Sequence, residues 1–289
     1  MRQVPFNLSD EMPSTEGIAH TQAKLSEAEA GLPLLPLCDL HNHTVHCGHA
    51  DPESTVLNLL ARASERKLLH FGISEHVMRA ADVSCIDAIK DEMRSAPATD
   101  VQHLLGVEMD IDPTERDGRW VVPDIQCDYV ILSAHALPQF DWDNGLAPQQ
   151  QRHRLGRRWL GWFGNAVRRG GFTIIGHPLR EPIAMNLIDL SDPDTMELAV
   201  ETLLPAIDQQ IAFEINDAFM NALRPSIHFS GYLVLLQRLR DEGMKFSRGA
   251  DSHSVLRVGA CGGIAHVARE ISLAASDWFD ASSITPRSL

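Results

Sequence analysis

Short apolar runs recur along the chain from residue 37, each stopping at a polar or charged residue and each followed by a stretch of helical periodicity. The runs Leu37–His41, Leu69–Ile73, Val101–Val107, Tyr129–Ser133, Phe172–Ile175, Ile211–Ile215 and Lys245–Gly249 predict seven β-strands of the length expected for a buried sheet. Between them, spacings of three and four predict helices over Glu53–Arg66, Cys85–Met93, His153–Arg169, Thr195–Asp208, Ile227–Asp241 and Leu256–Leu273. A hairpin is expected around Asp117-Gly118, and Pro138–Gln151, rich in Pro, Gln, Asp and Trp, reads as a loop over the mouth of a site. Strands alternating with helices build parallel βα units. The fold class is therefore α/β, with one barrel domain expected over residues 36–289. Residues 1–35, broken by Pro5, Pro13 and Pro33, read as an N-terminal extension with a short helix near His20–Ala30.

Composition narrows the function. The 289 residues carry a formal net charge of −14, which argues against a broad nucleic-acid surface, since that needs clustered Lys and Arg. Six arginines between Arg152 and Arg169 share a helix with Trp159 and Trp162; a helix burying its Trp, Leu and Phe while Arg faces water accounts for them. No apolar run is long enough to span a bilayer, and no secretory segment follows the first methionine. The five cysteines include no C-x-x-C pair. Reduced thiols in a bacterial-type cytoplasm are expected.

The strand ends carry the chemistry. His41, His43, His49, His76, Glu108, His135, His177, Asp251 and His253 are spread over two hundred positions, yet nearly all sit where an apolar run stops. A barrel gathers such residues at the C-terminal ends of its strands. Residues i and i+2 of an extended segment share a face, so His41 and His43, like Asp251 and His253, aim in one direction. An isolated H-x-H is more often a packing pair, but repetition at six strand ends points to a shared metal centre that satisfies buried polar groups together. Imidazole with carboxylate suits Zn, Mn or Fe, and Glu108 can bridge two cations.

The motifs Asp39-Leu-His-Asn-His-Thr44 with His49, Ser-Glu-His76, Gly-Val-Glu108, Ser-Ala-His135, Gly-His177-Pro and Gly-Ala-Asp-Ser-His253 resemble the PHP (polymerase and histidinol phosphatase) superfamily over about residues 37–260. The resemblance implies a distorted (β/α)7 TIM-like barrel with three divalent metal ions at the C-terminal ends of its strands. His41, His43, Glu108 and Asp251 would hold the first ion, Glu108, His135 and His177 the second, and His49, His76 and His253 the third. Glu108, His177, Asp251 and His253 would also form the catalytic set. It further implies a phosphoesterase that splits a small phosphomonoester by attack of a metal-bridging hydroxide, the cations neutralising the phosphate. His43-Thr-Val-His-Cys-Gly-His49 and the segment ending in His135 resemble the histidinol-phosphatase-like branch, making L-histidinol phosphate the leading substrate. The loop over 138–151 and the segment after His177 depart from that branch. A nucleotide or cyclic-phosphate phosphoesterase on the same centre, a non-catalytic regulatory PHP module, and a hydrolase of C–N or C–O bonds are the alternatives.

Other residues invite a role at the mouth. Arg180, three past His177, could clamp phosphate oxygens, against the plainer reading of an ion pair with Glu181. Arg79 and Arg248 are further phosphate candidates, and Asp110, two past Glu108, could recognise an amine. Asn216, ending the sixth strand, could hydrogen-bond substrate, and Glu214 reads as an internal support. His46 is a candidate substrate contact or acid, whereas Cys47 reads as packing or support rather than as a ligand. His70 and His103, early in their strands, read as structural, and His20, His153, His228 and His266 as solvated or capping.

Overall fold

The structure, a computed structural model, describes residues 35–77, 83–120, 125–138 and 145–285. Arg79, the extension at 1–34 and residues 139–144 of the mouth loop lie outside the described residues.

Seven parallel strands follow one another around the sheet in sequence order. They are β1 (Cys38–Asp39), β2 (His70–Val77), β3 (Gln102–Asp110), β4 (Tyr129–Ser133), β5 (Ile174–Ile175), β6 (Ala212–Asn216) and β7 (Phe246–Gly249). Beyond β1 the extended chain runs on beside the end of β7. Leu40 N–H donates to the Arg248 carbonyl at 3.2 Å and His43 N–H to the Ser252 carbonyl at 2.8 Å, and Asn42 bridges Ser252. These bonds bring the first strand against the last, and the sheet forms a (β/α)7 barrel.

The helices lie outside. They are α1 (Val56–Glu65), α2 (Val83–Ser95), α3 (Pro148–Arg169), α4 (Arg180–Ala184), α5 (Pro193–Leu203), α6 (Pro205–Asp208), α7 (Asp217–Leu223), α8 (Phe229–Asp241) and α9 (Gly262–Glu270). Several boundaries differ from expectation for local reasons. Pro148 starts α3 within the expected loop, because a proline at the first helical turn sacrifices no hydrogen bond. Pro205, which has no N–H to donate, divides the helix expected over Thr195–Asp208 into α5 and α6. Asn216 caps an additional helix, its side-chain oxygen accepting from Phe219 N–H at 2.9 Å. Helix α3 does bury Trp159, Leu160, Trp162 and Phe163.

Two apolar layers result. The larger joins helices to the outer face of the sheet. The smaller fills the barrel, where Cys38, Leu40, Leu104, Tyr129, Ile131, Ile174 and Ala212 meet Ala281 and Ile284 of the C-terminal segment. Tyr129 is the plug. Its hydroxyl donates to the Leu40 carbonyl at 2.5 Å, and its ring lies against Gly72 and Gly106. A Cβ at Gly72 would come within 2.0 Å of the hydroxyl, and one at Gly106 within 2.3 Å of the ring. Above this plug the inward positions become polar, and the site begins.

Candidate metal centre

Alternation along the strands places the ligands. On β3, Leu104 and Gly106 face the plug, so Glu108 and Asp110 come next on the same face. Register sets His76 of β2 level with Glu108, and Asp110 level with Ser133 of β4. Strands β2 and β3 run further than expected, so His76 and Glu108 lie within strands rather than past them.

Glu108 is buried at the centre. One carboxylate oxygen lies 3.0 Å from His177 Nε2, 3.4 Å from His41 Nε2 and 3.5 Å from His135 Nε2, and accepts from the Ser133 hydroxyl at 2.6 Å. The other oxygen lies 2.9 Å from His76 Nδ1 and 3.5 Å from His43 Nε2. Asp251 approaches His43 Nε2 at 3.5 Å and His41 Nε2 at 3.8 Å. Imidazole rings continue from His43 to His253 at 4.3 Å between centroids, and from His253 to His49 at 4.5 Å. All nine residues singled out as ligands thus converge.

Their donor atoms fall into triads whose members lie within 4.8 Å of one another: His41, His43 and Asp251; His41, Glu108 and His177; His76, Glu108 and His135; His43, His76 and His253; and Cys47, His49 and His253. Cys47, read as packing or support rather than as a ligand, stands with two of the histidines, His49 and His253. His135 and His177 fall in separate triads that share Glu108.

The residues fit metal. Among the described residues His41 Nε2, His43 Nε2, His76 Nδ1, Glu108 Oε2 and His253 Nε2 are buried with no hydrogen bond of proper geometry, the 2.9 Å approach of His76 Nδ1 to Glu108 Oε2 included, an unusual concentration of orphaned atoms around one point. Carboxylates hold several of the imidazoles from behind, the arrangement that fixes a metal-binding tautomer. Glu214 lies 2.7 Å from His41 Nδ1, Glu75 3.4 Å from His43 Nδ1, and Asp110 3.0 Å from His135 Nδ1. Glu75 also accepts from Thr44 N–H at 2.9 Å and from its hydroxyl at 2.6 Å. His177 and Asp251 carry positive backbone φ of 24° and 52°, a conformation tolerated where surrounding structure enforces it.

Electrostatics agree with this arrangement. Burial alone would raise Glu108 and Asp251, yet the surrounding histidines hold both carboxyls well below their usual range. Burial would lower His43, but Asp251 and Glu75 lift it to about 9. Burial and the neighbouring His43 push His253 down to about 3, and burial, with Arg180, lowers His177. Protons shared among these groups compete with cations for the same lone pairs.

The flanking residues divide. Arg180 stands at the site, 3.7 Å from Asp251, with two nitrogens on one Glu181 oxygen at 2.9 and 2.7 Å; the ion pair and the place at the mouth coexist. Arg248 is a correction. Its side chain leaves the opposite face of β7 from the inward Gly249, is buried, and donates to the Pro36 and Gly259 carbonyls at 2.9 and 2.6 Å. Asn216 is likewise corrected, its amide committed to Glu214 at 3.1 Å and to capping α7. Asp110, the candidate for an amine, has its oxygens on His135, side chain and backbone. His46 is engaged by Glu92 of α2 at 2.9 Å. Glu75 was missed: directly preceding His76, its side chain alternates away from it, and its distant partners His43 and Thr44 come from the segment after β1.

Comparison places this geometry among known proteins. The fold resembles the histidinol phosphate phosphatase of Lactococcus lactis, solved with zinc, L-histidinol and phosphate, with a TM-score of 0.55 and 16% identity over 84% of this chain and 98% of that one. It also resembles a candidate histidinol phosphatase of Listeria monocytogenes, with a TM-score of 0.53 and 17% identity over 77% of this chain and 97% of that one. In sequence the chain is 28% identical over 243 residues to a Deinococcus radiodurans protein named "Probable histidinol-phosphatase", covering 77% of this chain and 88% of the relative. The PHP domain model matches residues 39–218, from β1 into α7, a span that holds every expected ligand except Asp251 and His253. With those two delivered to the same centre by the segment after β7, the chain belongs to the PHP domain family.

Proposed function

We propose that the protein is a metal-dependent phosphatase of small phosphomonoesters, with three divalent ions drawn from Zn, Mn and Fe, and L-histidinol phosphate as its leading substrate. The observation that carries this reading is the set of four orphaned imidazole nitrogens around Glu108 and Asp251, with Glu108 Oε2 the fifth orphaned atom, in a PHP-family barrel. The names of the relatives support the ester class. Divalent cations bound there neutralise phosphate charge and acidify water near pH 7.

The chain's own residues supply the rest. His177 and His253, held neutral by burial and like charge, present lone pairs at neutral pH. Arg180 offers a charged fork beside the cluster, braced by Glu181 and Asp251, to the non-bridging oxygens of the phosphate. We place the reaction in the cytoplasm, where five cysteines with no C-x-x-C pair among them stay reduced.

The test is phosphate release from a panel of monoesters and diesters, with metal content measured on the same sample. Turnover of monoesters, histidinol phosphate foremost, is expected. Faster hydrolysis of diesters, or equal turnover by metal-free protein, overturns the reading.

A further inference from the structure

Glu214 sits on β6 inside the barrel and is 1% exposed. One of its oxygens lies 2.7 Å from His41 Nδ1. The other accepts from the backbone N–H of His177 at 2.7 Å and from Asn216 Nδ2 at 3.1 Å. The neighbouring strand makes room for it, because a Cβ on Gly249 would stand 2.0 Å from Glu214 Oε1 and 2.6 Å from His41 Cβ. Two of its partners, His41 and His177, come from opposite parts of the barrel and share a triad with Glu108, and His41 also belongs to a second. His41 belongs with His43 and Asp251 as well as with Glu108 and His177, and the His177 backbone it holds is the one at φ 24°.

We infer that Glu214 is a positioning residue that couples adjacent cation subsites, holding His41 in its metal-binding tautomer with one oxygen and the backbone of His177 with the other. The inference rests on the metal-dependent reading of this site. Donation of Nδ1–H to Glu214 leaves the His41 Nε2 lone pair aimed at Glu108 and Asp251, where a cation takes it. Two acceptors are needed together, and only a carboxylate has them. A glutamine turning its NH2 toward His41 favours the Nε2–H tautomer, which cannot ligate through that atom. Turned the other way, its NH2 faces the His177 N–H, donor against donor. Aspartate keeps both acceptors but is one methylene too short to span the two partners. Glu75 holds His43 and the Thr44 turn, and among the described residues its only further bond to a ligand residue is local, from the N–H of the adjacent His76 at 3.1 Å.

The experiment is a zinc titration against a chromophoric chelator for the parent, E214Q and E214D, with stoichiometry read by elemental analysis and folding by circular dichroism. E214Q is expected to retain fewer zinc ions per chain than the parent at equal free zinc, and to hold the remainder about 10- to 100-fold more weakly. E214D is expected to fall between them, and it carries the test if E214Q folds poorly. A folded variant of either kind with the parent's zinc stoichiometry and affinity overturns the inference. Phosphate release is assayed on the same samples. A parent that binds zinc but hydrolyses no ester ends the phosphatase reading, while the zinc comparison still decides the role of Glu214.

Discussion

Glu108 faces five imidazoles from one buried position, and its two oxygens are shared among them. Replacing it, or His177, by alanine is expected to lower phosphate release to background while the far-UV spectrum stays unchanged, because neither side chain packs in the apolar layers. Arg180→Ala acts differently: loss of a charge-assisted clamp worth about 2–3 kcal/mol raises KM for the monoester about 30- to 150-fold, read in a saturation curve. Glu75 gives a pH signature. Burial would raise its pKa, but His43 and Thr44 hold it at about 2, below the ordinary 4.5. A depressed carboxylate stabilises the fold above its unfolded value and loses that contribution as pH falls through the folded one. Metal-free protein should therefore lose up to about 3 kcal/mol from this group between about pH 5 and pH 2. Glu75→Gln should flatten that limb in a series of thermal melts.

At the scale of elements, the barrel interior is a choice of small residues against one large one. Tyr129 crosses the centre because β2 and β3 bring glycines opposite it, and the layer above is then free for Glu108, Glu214 and His41. Gly106→Ala forces a methyl into the Tyr129 ring and is expected to cost about 3 kcal/mol in urea unfolding, with metal stoichiometry lowered because β3 carries Glu108. Seven strands and their order were legible from the apolar runs, since a strand buried on both faces announces itself as a short continuous hydrophobic segment. Helix ends were less legible. Asp217–Leu223 directly follows β6 and is too short for its periodicity to register, and the helix expected from Leu256 starts only at Gly262, after a 3-10 turn.

At the scale of the molecule, the cations and the fold are linked by mass action. Free metal at one hundred times its dissociation constant stabilises the folded chain by about 2.7 kcal/mol per site. Chelation is thus expected to lower the melting temperature and abolish turnover while helicity at room temperature persists, because the two apolar layers are complete without metal. A chelated sample that unfolds outright at room temperature would show that the centre, rather than the core, holds the barrel together. Among the described residues no helix is long and apolar enough to cross a membrane.

The sequence by itself determined the strands, their alternation with helices and the identity of the histidines and carboxylates that gather at the strand ends, because periodicity and residue chemistry are local properties. Arg180 could be named from its distance to His177 in the chain. Only the tertiary structure decided which carboxylate stands behind which imidazole, since Glu75, Asp110 and Glu214 meet their histidines across strands. It also withdrew Arg248 and Asn216 from the mouth. Which face a side chain leaves, and what partner is already there, depends on how the barrel closes, and closure joins residues that the chain keeps far apart.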